Sequence, residues 1–457
     1  MPDALRSDDL LWAPHAWVGG RWREAVLLEV GADGHWAAVS PGAAPPPQAL
    51  RLPGPVLPGL VNAHSHAFQR AFVGLAERRD SEHDDFWSWR DRMYGVALRI
   101  TPEQLRAVAA HLYAELLCGG YTQVCEFHYL QHAPDGQAYA DPAEMAWALA
   151  EAAAEVGIGL TLLPVLYERS GFQATGLRAD QRRFATTTAQ VLALQQAVRA
   201  ARRPLVDAGT AIHSLRAARP ESLRELADRS DGPLHVHVAE QQAEVRDCLA
   251  TTGCRPIEWL LRHARMDARW QLVHATHSVP SEVDGVAACG AGVVLCPGTE
   301  ANLGDGVPDL TGWLAAGVPL SVGSDSQVTR SWGEELRWLE YAQRLVRQQR
   351  NVAALPGHEP ATAARLFERV RQGGGTAAGQ PRWGLEPGAR ADLLLLQPLD
   401  PALAGLPVSH LLDGLVFAAA EQPMARVMVA GRWADPDRQA LTRRHAQAMQ
   451  ALADAAA

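Results

Sequence analysis

Five side chains of the types that bind metals lie at the ends of short apolar runs. They are His64 and His66 in LPGLVNAHSHAFQR, His237 in LHVHV, His274 in QLVH and Asp325 in PLSVGSD. Alternate residues of a strand point to the same face, so His64 and His66 can act together. A single buried histidine is more simply explained by a hydrogen bond to the backbone. Five such groups, each following an apolar run, favour a shared metal site instead.

The chemistry of this set is hydrolytic. Imidazole and carboxylate ligands without thiolates suit Zn²⁺ or Fe²⁺. His64, His66, His237 and Asp325 can hold one ion and leave a position open for water. Because such an ion lowers the pKa of its water toward about 7, hydroxide becomes available at neutral pH. The sequence therefore predicts one divalent metal ion, with Zn²⁺ preferred over Fe²⁺.

These residues can meet if the runs that precede them are parallel strands of one barrel, whose C-terminal ends share one mouth. From about residue 58, short apolar runs alternate with Ala-, Leu- and Arg-rich segments of helical period. Eight strands are predicted, near residues 58–64, 121–128, 158–165, 206–213, 233–239, 271–276, 292–296 and 318–324. Eight such units form an α/β fold of the TIM type, a (β/α)8 barrel with its active site at the C-terminal strand ends.

The segments on either side of the barrel have a different pattern. Residues 1–57 consist of short strands and turns, and strand-like runs return at 385–435. We interpret these two segments as parts of one small β-sandwich domain, with the barrel at 58–384 and a C-terminal helix at 436–457. The Gly373-Gly374-Gly375 run is interpreted as a loop, since no strand-turn-helix unit surrounds it as a phosphate-binding motif requires.

Composition excludes several classes of protein and site. The chain has 457 residues and a formal charge of −9, which argues against non-specific nucleic-acid binding and binding to anionic membranes. None of its 42 cationic residues is a lysine, so Schiff-base chemistry and a carbamylated lysine bridging two metals are excluded. Six cysteines without a C-x-x-C pair, no basic secretory leader and no long apolar run favour a cytoplasmic protein with reduced thiols.

The histidine and aspartate pattern resembles that of the amidohydrolase superfamily. The H-x-H on the first strand, histidines on strands five and six, and an aspartate on strand eight all match that group, as does the split β domain. Strand four contains TAIHSL instead of a bridging lysine, so the similarity favours the branch with one metal and deaminase chemistry. This resemblance implies that His274 hydrogen-bonds the metal-bound water and that Glu240 shuttles a proton to the departing nitrogen.

Within the superfamily, five segments resemble the formiminoglutamate deiminase family, which acts in histidine degradation. They are AHSHAFQRAFVGLAE at 63–77, WSWR at 87–90, FHY at 127–129, AIHSLR at 211–216 and HVAE at 237–240. The resemblance implies that a metal-bound hydroxide attacks the formimino carbon, Asp325 accepts its proton, and ammonia leaves N-formyl-L-glutamate. It also implies a small dicarboxylate substrate, a homodimer, and five substrate-binding residues: Gln69, Arg90, Tyr129, His213 and Arg216.

Two alternatives stay open at this point. A deaminase acting on a nucleobase or a triazine ring would use the same ligands and the same glutamate, but it would need stacking aromatics where a dicarboxylate needs paired arginines. A non-catalytic barrel scaffold would have lost metal ligands.

Overall fold

The computed structural model describes residues 10–79 and 84–454, so the two ends of the predicted domain scheme, 1–9 and 455–457, lie outside the described residues. The strands are β1 Leu10–Val18, β2 Arg21–Val30, β3 Trp36–Ser40, β4 Leu50–Arg51, β5 Val56–Leu57, β6 Leu60–Ser65, β7 Tyr121–His128, β8 Gly159–Leu166, β9 Val206–Ala208, β10 Thr210–Ile212, β11 Leu234–Val238, β12 Trp270–His274, β13 Gly292–Leu295, β14 Leu320–Val322, β15 Leu393–Leu396, β16 Met424–Val429 and β17 Arg432–Trp433.

Helices follow most of the barrel strands. They are α1 Phe86–Ala97, α2 Pro102–Cys118, α3 Glu144–Val156, α4 Thr188–Ala200, α5 Pro220–Arg229, α6 Gln242–Thr252, α7 Pro256–His263, α8 Pro280–Cys289, α9 Pro297–Leu303, α10 Leu310–Ala315, α11 Trp332–Arg347, α12 Thr362–Ala377, α13 Leu411–Phe417 and α14 Arg438–Asp454. Short 3₁₀ turns occupy Ala67–Ala71, Ala179–Phe184 and Val408–His410. Among the described residues, no helix is both long and apolar enough to cross a membrane.

The central element is a barrel of parallel strands. Their order is β6-β7-β8-β10-β11-β12-β13-β14, and β9 pairs with β8 just before β10. The predicted barrel is confirmed, although the fourth predicted strand divides at Gly209 into β9 and β10. Helices cover a parallel barrel from outside while side chains fill its interior, so its strands are apolar on both faces; β7, β8 and β11 are buried throughout.

The barrel closes between its first and last strands near the rim. There, the backbone N–H of Asp325 donates to His64 O at 3.0 Å, and the N–H of His66 donates to Asp325 O at 3.2 Å. This bridge pairs Ser65 with Asp325 in parallel. The backbone groups of His64, His66 and Asp325, three of the predicted metal ligands, thus close the barrel.

The N- and C-terminal segments meet in a second sheet, as the sequence predicted. Its order is β17-β16-β15-β5-β1-β2-β3, with β4 beside β1. The sheet has its own apolar cluster, which includes Leu11, Leu28, Trp36 and Met428. Arg390, which precedes β15, connects this sheet to the barrel. Its guanidinium donates to Gln123 Oε1 at 2.7 Å and to Thr122 O at 2.9 Å, and both acceptors are in β7.

The triple glycine is not a loop, so that prediction was wrong. All three residues lie inside α12, which packs on β14 and β6. A Cβ on Gly373 would lie 2.1 Å from the carbonyl oxygen of Leu320, and one on Gly374 would lie 3.0 Å from Val61 Cβ. The glycines therefore allow the helix backbone to approach the strands more closely than any side chain permits, and packing overrides their low helix propensity.

Replacing Gly373 with alanine should destabilise the protein. The added methyl group meets backbone atoms, which cannot move aside as a flexible side chain can, so we expect the free energy of unfolding to fall by about 1–3 kcal/mol. Thermal and urea unfolding measure this change. Gly95→Ala in α1 is the matched control, because a Cβ there meets nothing within 4 Å. Equal losses in the two variants would contradict this explanation of the glycine run.

Candidate active site

Three imidazoles converge at the C-terminal rim of the barrel. His64 and His66 are on β6 and just after it, and His237 is on β11. The Nε2 atom of His64 lies 3.2 Å from that of His66 and 2.9 Å from that of His237. All three residues are buried. The alternation on the first strand thus brings two rings to one point, and a strand four positions around the barrel supplies the third.

Hydrogen bonds to the backbone orient two of these rings. The Nδ1 atom of His66 lies 2.9 Å from Phe127 O, and that of His237 lies 2.9 Å from His213 O. Because a carbonyl only accepts, each Nδ1 carries the hydrogen and each Nε2 presents its lone pair to the centre. Burial lowers the pKa of His64 to about 3 and also lowers the pKa values of His66 and His237. The rings are therefore neutral near pH 7, as metal ligands must be.

Asp325 completes the group from the last strand. Its Oδ1 lies 3.3 Å from His66 Nε2 and 3.5 Å from His64 Nε2. Burial alone would raise the pKa of Asp325, but its interactions with the surrounding histidines, His274 among them, outweigh burial and hold the pKa below its usual value. The fourth donor is accordingly an ionised carboxylate.

This donor set fits a metal ion. Neutral imidazoles whose lone pairs face one another repel unless a cation lies among them. In a tetrahedral zinc site with Zn–N of about 2.0–2.1 Å, neighbouring ligand atoms are about 3.3 Å apart. The separations of 2.9, 3.2, 3.3 and 3.5 Å measured here surround that value. The four residues predicted to bind metal are thus those that could hold one ion.

A second group of ionisable side chains lies beside the four donors. His274 Nε2 is 3.7 Å from Glu240 Oε1 and 3.8 Å from Asp325 Oδ2. Burial raises the pKa of Glu240 to about 7, so this carboxyl can hold a proton near neutral pH. Burial opposes charge on His274, yet Glu240, Glu300 and Asp325 together raise its pKa to about 10. A carboxyl that can hold a proton and a positively charged ring therefore lie beside the donor cluster.

The backbone turns sharply at these strand ends. Ala239, His274, Ala275 and Asp325 adopt φ values of 53°, 69°, 48° and 47°. Residues other than glycine seldom take left-handed conformations, and such strain concentrates at functional sites. Here it turns the chain at the rim two residues after His237, at His274 and at Asp325.

The other predicted residues line the same cavity. Gln69 Nε2 donates to Tyr129 OH at 3.1 Å, and the Tyr129 ring packs against His66 and His213. Burial raises the pKa of Tyr129, which keeps its hydroxyl protonated. Ten of the predicted residues contribute to the lining, namely His66, Gln69, Arg90, Tyr129, His213, Arg216, His237, Glu240, His274 and Asp325, while His64 lies behind them.

Arg90 and Arg216 line this cavity, and their guanidinium groups lie near the same indole ring, that of Trp87. The Cζ of Arg90 lies 4.7 Å from the Trp87 ring centroid, and that of Arg216 lies 5.3 Å from the same centroid. Arg90 donates to its neighbour Asp91 at 3.2 Å, whereas Arg216 forms no ion pair or hydrogen bond with any residue that the structure describes. Two neighbouring cations of this kind could bind an anion with more than one carboxylate.

Sequence reasoning missed several residues of the site. Glu300 Oε1 lies 3.4 Å from His274 Nδ1, and a carboxylate oxygen of Asp305 lies within 4.8 Å of Glu240 and His274 ligand atoms. Tyr94 and Tyr167 line the cavity, and both hydroxyls accept from Gln181, at 3.2 and 3.0 Å. A signal existed for Glu300, because it follows the seventh strand as the predicted ligands follow theirs. Asp305 and the tyrosines had no comparable signal.

Glu126 supports the first-strand histidines from beneath. This buried carboxyl accepts from Ala67 N at 2.6 Å, from Ser65 Oγ at 2.8 Å and from Tyr113 OH at 3.2 Å. Gln327 Nε2 also donates to Ser65 Oγ, at 3.0 Å. Since Ser65 and Ala67 flank His66, these bonds fix the backbone on both sides of that ligand. A charged residue within the apolar run of β7 was the sequence signal for it.

Comparison with known proteins agrees with this geometry. The model of the amidohydrolase family matches residues 56–434. A formimidoylglutamate deiminase from Pseudomonas aeruginosa is 46% identical over 429 residues, which are 93% of this chain and 94% of that protein. An 8-oxoguanine deaminase from the same species is 29% identical, covering 83% of this chain and 81% of that one.

Solved structures are similar as well. A crystal structure of an amidohydrolase from Brucella melitensis superposes with a TM-score of 0.92 at 41% identity, covering 97% of this chain and 99% of the other. An adenosine deaminase from Xanthomonas campestris with bound zinc has a TM-score of 0.80 at 24% identity, over 99% and 100% of the two chains, and so supports the fold. From the family match over most of its length and these relatives, we conclude that the chain belongs to the amidohydrolase family.

Proposed function

We propose that this protein hydrolyses N-formimino-L-glutamate to N-formyl-L-glutamate and ammonia. The observation that carries the proposal is the pair of guanidinium groups over Trp87, in the cavity that also exposes Glu240, His274 and Asp325. A dicarboxylate with a C–N bond to be hydrolysed matches both parts of this cavity. The formimidoylglutamate deiminase that is 46% identical supports the same substrate.

His64, His66, His237 and Asp325 would hold the metal, and their nitrogen and oxygen donors suit Zn²⁺ best, with Fe²⁺ as the second choice. When bound, the ion supplies a reactive nucleophile from water at neutral pH and polarises the substrate as a Lewis acid. The two oxygens of Asp325 have different surroundings, since Oδ1 faces His64 and His66 while Oδ2 faces His274. Asp325 Oδ2 is therefore the base that accepts the proton of the attacking water.

Departure of the nitrogen requires an acid, because an amide anion is a very poor leaving group. Glu240 can hold a proton near pH 7 and delivers it to that nitrogen as the C–N bond breaks. His274, held by Glu300, donates a hydrogen bond to the oxygen that forms the new bond to carbon. Arg90 and Arg216 bind the carboxylates and so align the formimino carbon with the attacking water.

We further propose that the reaction serves histidine degradation in the cytoplasm. The substrate is a small dicarboxylate, with no role for nucleic acid or membranes, in agreement with the charge of −9. All six cysteines are free, as expected of a protein in a reducing compartment.

Ammonia release from a panel of substrates tests this function. We expect the purified protein to release ammonia from N-formimino-L-glutamate, but not from guanine, 8-oxoguanine, cytosine, adenosine or an aminotriazine, because rings lack the paired carboxylates that Arg90 and Arg216 bind. A preference for any ring would establish the deaminase alternative. Well-folded protein that takes up no zinc and releases no ammonia from any compound would establish the scaffold alternative.

His237→Ala should remove metal and activity together. The substitution deletes one of three nitrogen donors, so we expect bound zinc, measured by atomic emission after dialysis, to fall at least tenfold. His358→Ala is the control, since this histidine is exposed. A variant that kept its zinc would contradict the assignment of His237 as a ligand.

Arg216→Met should weaken substrate binding without loss of metal. Charge-assisted hydrogen bonds contribute about 1.5–3 kcal/mol, so KM should rise roughly 10- to 100-fold. Some loss of kcat is expected as well, because the same contacts align the reacting carbon. Arg224→Met on the exposed side of α5 is the matched control. Unchanged steady-state kinetics in Arg216→Met would show that this arginine does not bind a carboxylate.

A further inference from the structure

Two tyrosines of the cavity are joined by one buried amide. Tyr94 is on α1, Tyr167 directly follows β8, and Gln181 lies in the 3₁₀ turn Ala179–Phe184. All three side chains are buried, and both tyrosines line the cavity. The proposed reaction uses neither tyrosine, either to hold the metal or to move a proton. Their hydroxyl groups therefore require a separate explanation.

The direction of the hydrogen bonds at this amide is fixed. Gln181 Oε1 accepts from the backbone N–H of Arg178 at 3.1 Å, and a backbone N–H can only donate. The other end of the amide is therefore its NH₂ group, which donates to Tyr94 OH at 3.2 Å and to Tyr167 OH at 3.0 Å. Each tyrosine oxygen thus accepts from Gln181 and keeps its own hydrogen for a different partner.

At least one of these two hydroxyl hydrogens has no acceptor within the chain. One tyrosine can donate to the other, but the hydrogen of the second then remains. Within residues 10–79 and 84–454, neither hydroxyl donates to any group outside the pair. Burial raises the pKa of Tyr167 well above its ordinary value, so this hydroxyl is protonated near pH 7. The cavity therefore contains a hydrogen-bond donor that only water or a ligand can satisfy.

The neighbouring charges indicate that this ligand is an anion. The Cζ of Arg90 lies 5.5 Å from the ring centroid of Tyr94. Arg216 and Arg90 both lie close enough to Tyr167 to oppose the rise in its pKa that burial causes. Guanidinium groups have no acceptor, and the acceptor positions of the tyrosines are occupied by Gln181. These four side chains thus offer only donors, which suits a carboxylate, since both of its oxygens accept.

We propose that Tyr94 and Tyr167 donate hydrogen bonds to one carboxylate of the substrate, beside Arg90 and Arg216, and that Gln181 positions both hydroxyls. The inference rests on the proposed function for the identity of the substrate. In this role the tyrosines determine specificity, because a carboxylate accepts their hydrogens whereas an N–H group of another compound would face them hydrogen to hydrogen. Their contribution is then hydrogen bonding instead of stacking on a ring substrate.

Calorimetric binding of N-formyl-L-glutamate to the zinc-loaded protein tests the proposal. Tyr94→Phe and Tyr167→Phe should each raise Kd about tenfold, because each variant loses a hydrogen bond to a carboxylate with little change of shape. Bound zinc and the melting temperature should stay unchanged. Tyr121→Phe is the matched control, since the Tyr121 hydroxyl is also buried but lies at the start of β7, away from the C-terminal rim. Wild-type affinity in both cavity variants would overturn the proposal, and so would a wild-type protein that does not bind this ligand.

Two mono-amides of the ligand separate hydrogen bonding from a structural effect. N-formyl-L-glutamine carries an amide in place of the side-chain carboxylate, and N-formyl-L-isoglutamine carries one in place of the α-carboxylate. For the mono-amide whose amide lies at the tyrosines, the loss caused by Tyr167→Phe should shrink to about threefold or less, because the charged acceptor is gone. The other mono-amide should keep the tenfold loss. Equal losses for all three ligands would show a structural effect and overturn the proposal.

Gln181→Met tests the positioning role of the amide. We expect Kd for N-formyl-L-glutamate to rise about three- to tenfold in the otherwise wild-type protein. The same substitution should cause no further rise when both tyrosines are already phenylalanine, because Gln181 acts only through their hydroxyls. An equal rise in both backgrounds would overturn this role.

The outcome is separable from that of the proposed reaction, because binding does not depend on turnover. A protein that releases no ammonia from N-formimino-L-glutamate, yet binds N-formyl-L-glutamate through Tyr94 and Tyr167, would contradict the reaction and leave the carboxylate-binding role standing. A protein that releases ammonia, but whose phenylalanine variants bind with wild-type affinity, would contradict the role of the tyrosines alone.

Discussion

The structure depends on how the first and last barrel strands close. They are joined at the rim by the backbone hydrogen bonds of His64, His66 and Asp325, the residues whose side chains form the donor cluster. Close approach is possible because Gly323 has no side chain, since a Cβ there would lie 2.6 Å from His64 Cβ. On the outside, Gly373 allows α12 to press against Leu320 of the last strand. The same residues therefore close the barrel and form the donor cluster.

Burial sets the charges of the site. It keeps the three imidazoles neutral, so their lone pairs are free to bind a cation, and it leaves Glu240 able to hold a proton near pH 7. The cavity is lined by the acidic residues Glu240 and Asp325 and by the two cations Arg90 and Arg216. A substrate with a basic amidine at one end and carboxylates at the other offers a partner to both kinds of group. A neutral ring offers none to the arginines, although Tyr94 and Tyr167 provide aromatic surface.

Much of the fold could be predicted from local patterns in the sequence. Each barrel strand is a short apolar run, and the ligands are polar residues directly after such runs, so neither required knowledge of distant contacts. The prediction for Gly373-Gly374-Gly375 was wrong because local rules treat glycine as a helix breaker. The decisive interaction there is close packing against Leu320 and Val61, which are distant in sequence. Asp305 was missed for a related reason, since its neighbours Glu240 and His274 come from other strands and loops.

The sequence by itself determined the short apolar runs that form the barrel strands and the types of metal donor that follow them. Through the absence of lysine, it also determined a site without a bridging carbamate. These are properties of composition and of spacing along one strand or helix. Tertiary structure decided which donors meet, at separations of 2.9 to 3.5 Å, and that both arginines lie over one tryptophan. These features could be decided only by the closed barrel, because each brings together side chains that are far apart in the sequence. The distance between such side chains depends on how the strands are arranged around the barrel.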